Sequence, residues 1–201
     1  MASTPKKTDP SYVGYYLDDD YYERVIAISR EWREIGEVPV DRLPDATTQA
    51  ACERLINTEA RLIDDDRLEE WLDLFASELL YWIPSTREAP DPRVNVALEI
   101  HDRRRLEEHV ARLRTGFAYS QHPPTRTRHI YTNLEMWRST DDAVFARVNA
   151  NIATYLNGRH RALVGWIGFV LRNLDGQWRI EMKQVNYLDP EYGQENNSFT
   201  V

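Results

Sequence analysis

Five histidines, one cysteine and a group of arginines are the residues of this 201-residue chain whose types could carry chemistry. The histidines are His101, His109, His122, His129 and His160. None stands in an H-E-x-x-H pair, and a single cysteine cannot complete a Cys/His ligand set. His101-Asp102 together with His109 offers two imidazoles and a carboxylate, the donor set of a non-haem iron centre. Against it, His101 ends a strand and His109 points off a different part of the following helix, so we expect no metal there. Cys52 falls inside the periodic pattern of a helix, where a buried structural thiol is the plainer reading, and no G-x-S-x-G elbow offers a serine nucleophile. General acid–base work is the stronger option. His129 is the candidate base, with Asp102 or Asp65 as the carboxylate that would orient it. The competing reading is a histidine satisfied by hydrogen bonds at a sheet edge or an interface, and the neighbouring arginines favour it.

Seven arginines lie between Arg103 and Arg128: Arg103, Arg104, Arg105, Arg112, Arg114, Arg126 and Arg128. The whole chain is acidic, with 25 basic and 33 acidic residues and a formal charge of -8. That balance argues against general nucleic-acid binding, which needs a basic face on the phosphates. There is no Gly-rich loop for a phosphate and no aromatic interleaving that would stack bases. The arginines therefore read as a solvated helix face with ion pairs, or as a docking face for an acidic partner subunit. Arg112, Arg114, Arg126, Arg128 and His129 are the interface candidates.

The elements that must position these residues are helices first and strands after. Residues 48–63 have helical spacing through Ala51, Leu55, Thr58 and Leu62, with Thr47 or Thr48 as N-cap. Asp64, Asp65 and Asp66 break that helix and cap a second, whose stripe is Leu68, Trp71, Leu72, Phe75 and Leu79. A short strand, 80–83, ends at Pro84, and a loop surrounds Pro90 and Pro92. Residues 94–100 read as a strand. Asp102 then caps a helix over 103–115, with Leu106, Val110, Leu113 and Phe117 inward and Gly116 as its C-cap.

From Thr125 to Arg138 and beyond, the chain reads as strand. Asp141-Asp142, Asn157-Gly158 and Asp175-Gly176 punctuate runs at 143–156, 161–173 and 177–188. Strands of about 12 residues exceed the usual length of about 5 or 6 and imply a strongly curved sheet. The expected class is α+β, a long curved antiparallel sheet wrapped around the helices. Trp71, Phe75, Phe117, Trp166 and Trp178 are large enough to fill its interior. Residues 1–47, rich in Tyr, Asp and Glu, read as an arm packing on another subunit or as a cap on their own domain. A short helix fits 22–32, with Val25, Ile28 and Trp32 on one side. Residues 48–201 read as one domain. No apolar run approaches the ~20 residues of a membrane helix, and no secretory leader is visible. One cysteine excludes an internal disulfide and fits a reducing, cytoplasmic setting.

Several segments together resemble a known family. They are Leu62-Ile63-Asp64-Asp65-Asp66 leading to Trp71, then Tyr81-Trp82-Ile83-Pro84, then Asp102 with Leu106-Glu107 and Val110. Arg112-Leu113-Arg114-Thr115-Gly116 and Pro123-Pro124-Thr125-Arg126-Thr127-Arg128-His129 follow, and that pair is the most specific signal. Over residues 48–201 the chain resembles the β (small) subunit of aromatic-ring-hydroxylating dioxygenases, the Rieske non-haem iron oxygenases. The resemblance implies a cystatin-like cone, the fold also used by scytalone dehydratase and ketosteroid isomerase. It implies no catalytic centre or cofactor on this chain. The Rieske 2Fe–2S cluster and mononuclear Fe(II) are expected on a partner α subunit, in a hexamer of three α and three β subunits. Electrons from NADH reach α through a reductase and often a ferredoxin, and the product is a cis-dihydrodiol. The alternative is a stand-alone dehydratase, isomerase or cyclase of the same cone, with His129 as general base. The N-terminal arm exceeds the family's minimum and leaves its role open.

Overall fold

Asp19 and Asp20 open the first helix, α1 (Asp19–Glu34), where carboxylates complement the unsatisfied N–H groups of a helix start. The computed structural model describes residues 19–87, 91–115, 118, 121 and 123–191. Gly116, Phe117 and His122 lie outside these residues. Tyr22, Val25, Ile28, Ser29 and Trp32 form the buried side of α1. That side packs on the sheet of its own domain, against Leu80, Trp82, Trp137, Phe145, Val170 and Met182. Gly168 makes this possible: a Cβ there would lie 2.6 Å from the Trp32 ring.

After a short 3-10 turn at Val40–Arg42 comes α2 (Ala46–Asp64). Its N-cap is Asp45, not a threonine; the Asp45 carboxylate accepts from the Thr48 backbone N–H at 2.9 Å and from the Thr48 hydroxyl at 2.8 Å. The three aspartates at its other end divide the work. Asp64 is the last helical residue, Asp65 the C-cap, and Asp66 takes a left-handed φ of 55°. Arg67 N–H then bonds Leu62 O and Asp66 N–H bonds Ile63 O, a Schellman closure with Asp in the place usually held by Gly.

The expected second helix is much shorter than its apolar stripe. α3 covers only Leu68–Leu72, and Phe75 already begins β1 (Phe75–Pro84). Leu79 to Pro84 is buried on both faces, so a continuous apolar run stands in place of alternation, and such a run does not separate helix from strand. β2 (Ala97–His101) and α4 (Arg103–Arg114) follow, with Asp102 capping α4 through a 2.8 Å bond from Arg105 N–H.

The four long strands are β3 (Arg126–Arg138), β4 (Val144–Leu156), β5 (Arg159–Leu174) and β6 (Gln177–Tyr187). Both residues of each tight turn have positive φ, 49° and 82° at Asn157-Gly158 and 51° and 84° at Asp175-Gly176. This is the I′ geometry that matches strand twist. The sheet order is β2-β1-β6-β5-β4-β3. Every pair is antiparallel except β1 with β6, which run parallel, so the expected all-antiparallel sheet is mixed. The helices α2, α3 and α4 cover one face, around Leu55, Ile56, Leu106, Val148, Ile167 and Phe169. Trp71 and Phe75 belong to that interior and Trp178 packs against it, whereas Trp166 lies on the opposite face beside Trp32.

Candidate functional site

β3 is an edge strand of 13 residues. Its residues alternate, so Arg126, Arg128 and Ile130 point outward while Thr127, His129 and Tyr131 turn toward α2. The end of α2 delivers Asp64 to that row. The Asp64 carboxylate accepts from Thr127 Oγ1 at 2.9 Å, from His129 N–H at 3.0 Å and from His129 Nδ1 at 2.6 Å. Both side chains are buried, at 0% exposure for His129 and 4% for Asp64. The orienting carboxylate is therefore Asp64; Asp65 caps α2 and Asp102 caps α4. Burial by itself raises the Asp64 pKa. The hydrogen bonds and charge of His129, with the Thr127 hydroxyl, outweigh it and hold the carboxyl below its usual range. With Nδ1 donating, Nε2 is the free ring nitrogen, and it is buried without a hydrogen-bond partner.

A second buried group adjoins the first and carries no sequence motif. Lys183 Nζ on β6 lies 2.6 Å from Glu59 Oε1 on α2, with both side chains at 0% exposure. Glu59 also accepts from Trp71 Nε1 at 2.8 Å and from the Tyr131 hydroxyl at 3.2 Å. Burial pulls the Lys183 pKa down, and the Glu59 charge opposes that shift. Burial pushes the Tyr131 phenol well above its ordinary value. His129 and Tyr131 stand edge to face at 5.7 Å, so the two polar groups are neighbours. Each half had one legible signal: Glu59 interrupts the apolar phase of Leu55, Ile56, Leu62 and Ile63, and Lys183 sits two residues from inward-facing Val185.

His101 and His109, expected to diverge, come together, with ring centroids 5.4 Å apart. Glu99 joins them, its Oε2 3.4 Å from His101 Nε2, while Asp102 is occupied as a cap. Arg112 donates to His109 Nδ1 at 3.2 Å, which leaves the ring proton on Nε2. Burial lowers the His109 pKa. Among the described residues, no three His, Cys, Asp or Glu side chains are arranged to hold a metal ion. Cys52 is buried with its thiol pushed up to about 12, which makes it a poor nucleophile.

The arginines divide into two sets. Arg103 and Arg104 pair with Glu107 and Glu108, one turn on along α4. Arg114 holds Asp66 and Glu69, both at 2.8 Å. Arg126 is exposed, and Arg128 is 67% exposed with only a 3.6 Å approach to Asp64. The two arginine-rich motifs meet at a cleft of about 140 Å³, lined by Asp64, Asp66, Leu113, Arg114, Thr125 and Thr127 among others.

A family model described as "Ring hydroxylating beta subunit" matches residues 58–191, which includes Glu59, Asp64, His129 and Lys183. The chain belongs to this family. It is 34% identical over 151 residues to the small oxygenase component of the p-cumate 2,3-dioxygenase system of Pseudomonas putida, covering 72% of this chain and 81% of that one. It is 35% identical over 115 residues to the 2-halobenzoate 1,2-dioxygenase small subunit of Burkholderia cepacia, covering 55% and 68%. The solved β subunit of benzoate 1,2-dioxygenase from Burkholderia mallei superposes with a TM-score of 0.62 at 22% identity, over 75% of this chain and 96% of that one. The fold is thus the α+β, cystatin-like arrangement expected from the sequence. Among the described residues no helix is long and apolar enough to cross a membrane.

Proposed function

We propose that this β subunit is a non-catalytic scaffold. In this reading a partner α subunit carries the Rieske 2Fe–2S cluster and the mononuclear iron, in a cytoplasmic complex of three α and three β chains. Electrons reach α from NADH by way of a reductase and often a ferredoxin. The chain's own donors do not fit the cluster, because it has one cysteine and that thiol is buried. One observation carries the reading: Asp64 and His129 are committed to tying the end of α2 to the edge strand β3. The relatives act on p-cumate and 2-halobenzoate, both ring carboxylates, so we assign the complex an aromatic carboxylate as substrate.

One observation favours a second reading, a proton-transfer enzyme of the same fold. His129 Nε2 is buried and unpartnered, and Asp64 orients the ring as a catalytic base requires. His129→Gln separates the two. As general base, its loss removes a factor of about 10² to 10⁴ in rate. As scaffold, turnover per iron in the purified assembled complex stays within about tenfold of wild type. A collapse of that rate with assembly and iron content intact refutes the scaffold reading.

A further inference from the structure

Among the described residues, α1 covers part of the outer face of the sheet. α1 lies over Trp137, Phe145 and Val170 and stops at Glu34. At its end opens a recess of about 290 Å³, lined by Arg33, Arg87, Asn149, Trp166, Asn186 and Leu188 among others. Asn149, Trp166 and Asn186 are register partners across β4, β5 and β6, so the middle of the recess is rigid sheet.

Among the described residues, the guanidiniums of Arg33 and Arg147 make no ion pair with a carboxylate. Arg33 donates Nη1 to the Arg87 carbonyl at 2.5 Å and Nη2 to Asn186 Oδ1 at 2.9 Å, both neutral acceptors. Its Nε is buried with no partner. Arg33 lies over the Trp166 ring at 5.2 Å and Arg147 over the same ring at 4.9 Å. Among the described residues Arg147 bonds the Trp32 carbonyl alone, at 3.2 Å. The Glu191 carboxylate accepts the Arg87 backbone N–H at 2.9 Å, so one negative charge stands beside Arg87 and none beside Arg33 or Arg147 among the described residues. Among the described residues, then, two guanidiniums, Arg33 and Arg147, flank Trp166 without an ion pair in a chain of net charge -8. Most of its other arginines find carboxylates, Arg24, Arg93, Arg114 and Arg172 among them. Burial, and the nearby Arg147 charge, both weaken the hold of Arg33 on its proton, so an anion arriving here relieves an existing cost.

We propose that this recess is a binding site for a carboxylate carried on an apolar body. Arg33 supplies a forked guanidinium that suits a carboxylate, and Arg87 and Asn149 line the recess beside it. Val164 and Leu188, 42% and 58% exposed, offer the apolar contact. Two sources share this chemistry: a free benzoate-type anion, and an acidic side chain or chain end of another polypeptide.

The test is calorimetric titration of the full chain with sodium benzoate at low ionic strength, with benzamide as the uncharged isostere. Saturable benzoate binding, no benzamide binding and a loss of about tenfold or more in Arg33→Gln support the free anion. Arg87→Gln serves as the second variant, since the Arg87 side chain is exposed and only its main chain is bonded, and a loss of about threefold is expected there. A different outcome assigns the carboxylate to a polypeptide: no benzoate binding, but about tenfold weaker association of both variants with the α subunit at unchanged melting temperature. That arm rests on the scaffold reading above; the benzoate arm does not. Benzoate affinity equal in wild type and both variants overturns the proposal, as does absence of benzoate binding with unchanged association.

Discussion

Asp64→Ala is the sharpest test of how the edge strand is held. The substitution strands three donors: the Thr127 hydroxyl, the His129 backbone N–H and His129 Nδ1–H. Each bond to a charged acceptor contributes about 1.5–3 kcal/mol, but the three share one carboxylate and do not add. Removing one partner of a buried pair costs about 3–5 kcal/mol, a large part of the ~5–15 kcal/mol that stabilises a domain. At about 2–4 °C per kcal/mol for a chain of this size, the melting temperature should fall by about 10 °C or more. Asp64→Asn keeps one acceptor oxygen and should lose about half as much. The pH dependence has a definite sign. The folded-state pKa of Asp64 lies below its unfolded value, so its contribution is fully present above the unfolded pKa and lost as pH falls through the folded one. The gap between wild type and Asp64→Asn should hold steady from pH 7 to about 5 and close below about 4. Scanning calorimetry across that range reads it. A melting temperature for Asp64→Ala within about 2 °C of wild type at pH 7 refutes the reasoning.

Lys183→Met leaves Glu59 charged and buried, and should destabilise by about 3–5 kcal/mol in urea unfolding, whereas Glu59→Gln with Lys183→Met should recover much of that loss. Gly168→Ala drives a methyl into the Trp32 ring and should cost about 1–3 kcal/mol, visible as weakened protection of α1 amides in hydrogen exchange. Arg128→Ala should change the melting temperature of the isolated chain little, because a largely exposed pair is worth under about 1 kcal/mol, while sedimentation with the α subunit shows a clear loss of assembly. Equal complex yield from mutant and wild type removes Arg128 from the interface.

The parts of this fold that were legible in the sequence are those fixed by neighbours in the chain. Asn157-Gly158 and Asp175-Gly176 mark hairpins because both positions need positive φ, and Asp102 marks a helix start because its side chain reaches a backbone N–H three residues on. The boundary near Phe75 was hidden, since Leu68, Trp71, Leu72, Phe75 and Leu79 fit a helical stripe as well as a short helix followed by a buried strand. The choice of Asp64 over Asp65 turns on helix phase. Successive residues point about 100° apart, so one position in a run of three aspartates decides which carboxylate meets β3. Glu59 with Lys183 are 124 positions apart, and His101 with His109 meet only where β2 turns into α4. Local pattern carries no trace of such pairings.

Among the described residues β6 is the last strand in chain order, yet it lies inside the sheet between β1 and β5. Its parallel partner β1 precedes it by about a hundred residues, with Tyr81 opposite Lys183. During synthesis, α2 can meet β3 once residues 126–174 have emerged, but β1 lacks its parallel partner until residues 177–187 leave the ribosome. Lys183 arrives in that same segment, so Glu59 waits for its counter-charge while a further 124 residues are added. Until then the growing chain carries an unpaired β1 edge, the kind of exposed strand on which nascent chains aggregate. A stop or frameshift even shortly before 177 removes an interior strand rather than a terminal one. Quality control should meet it as an unfolded chain, not as a shortened subunit.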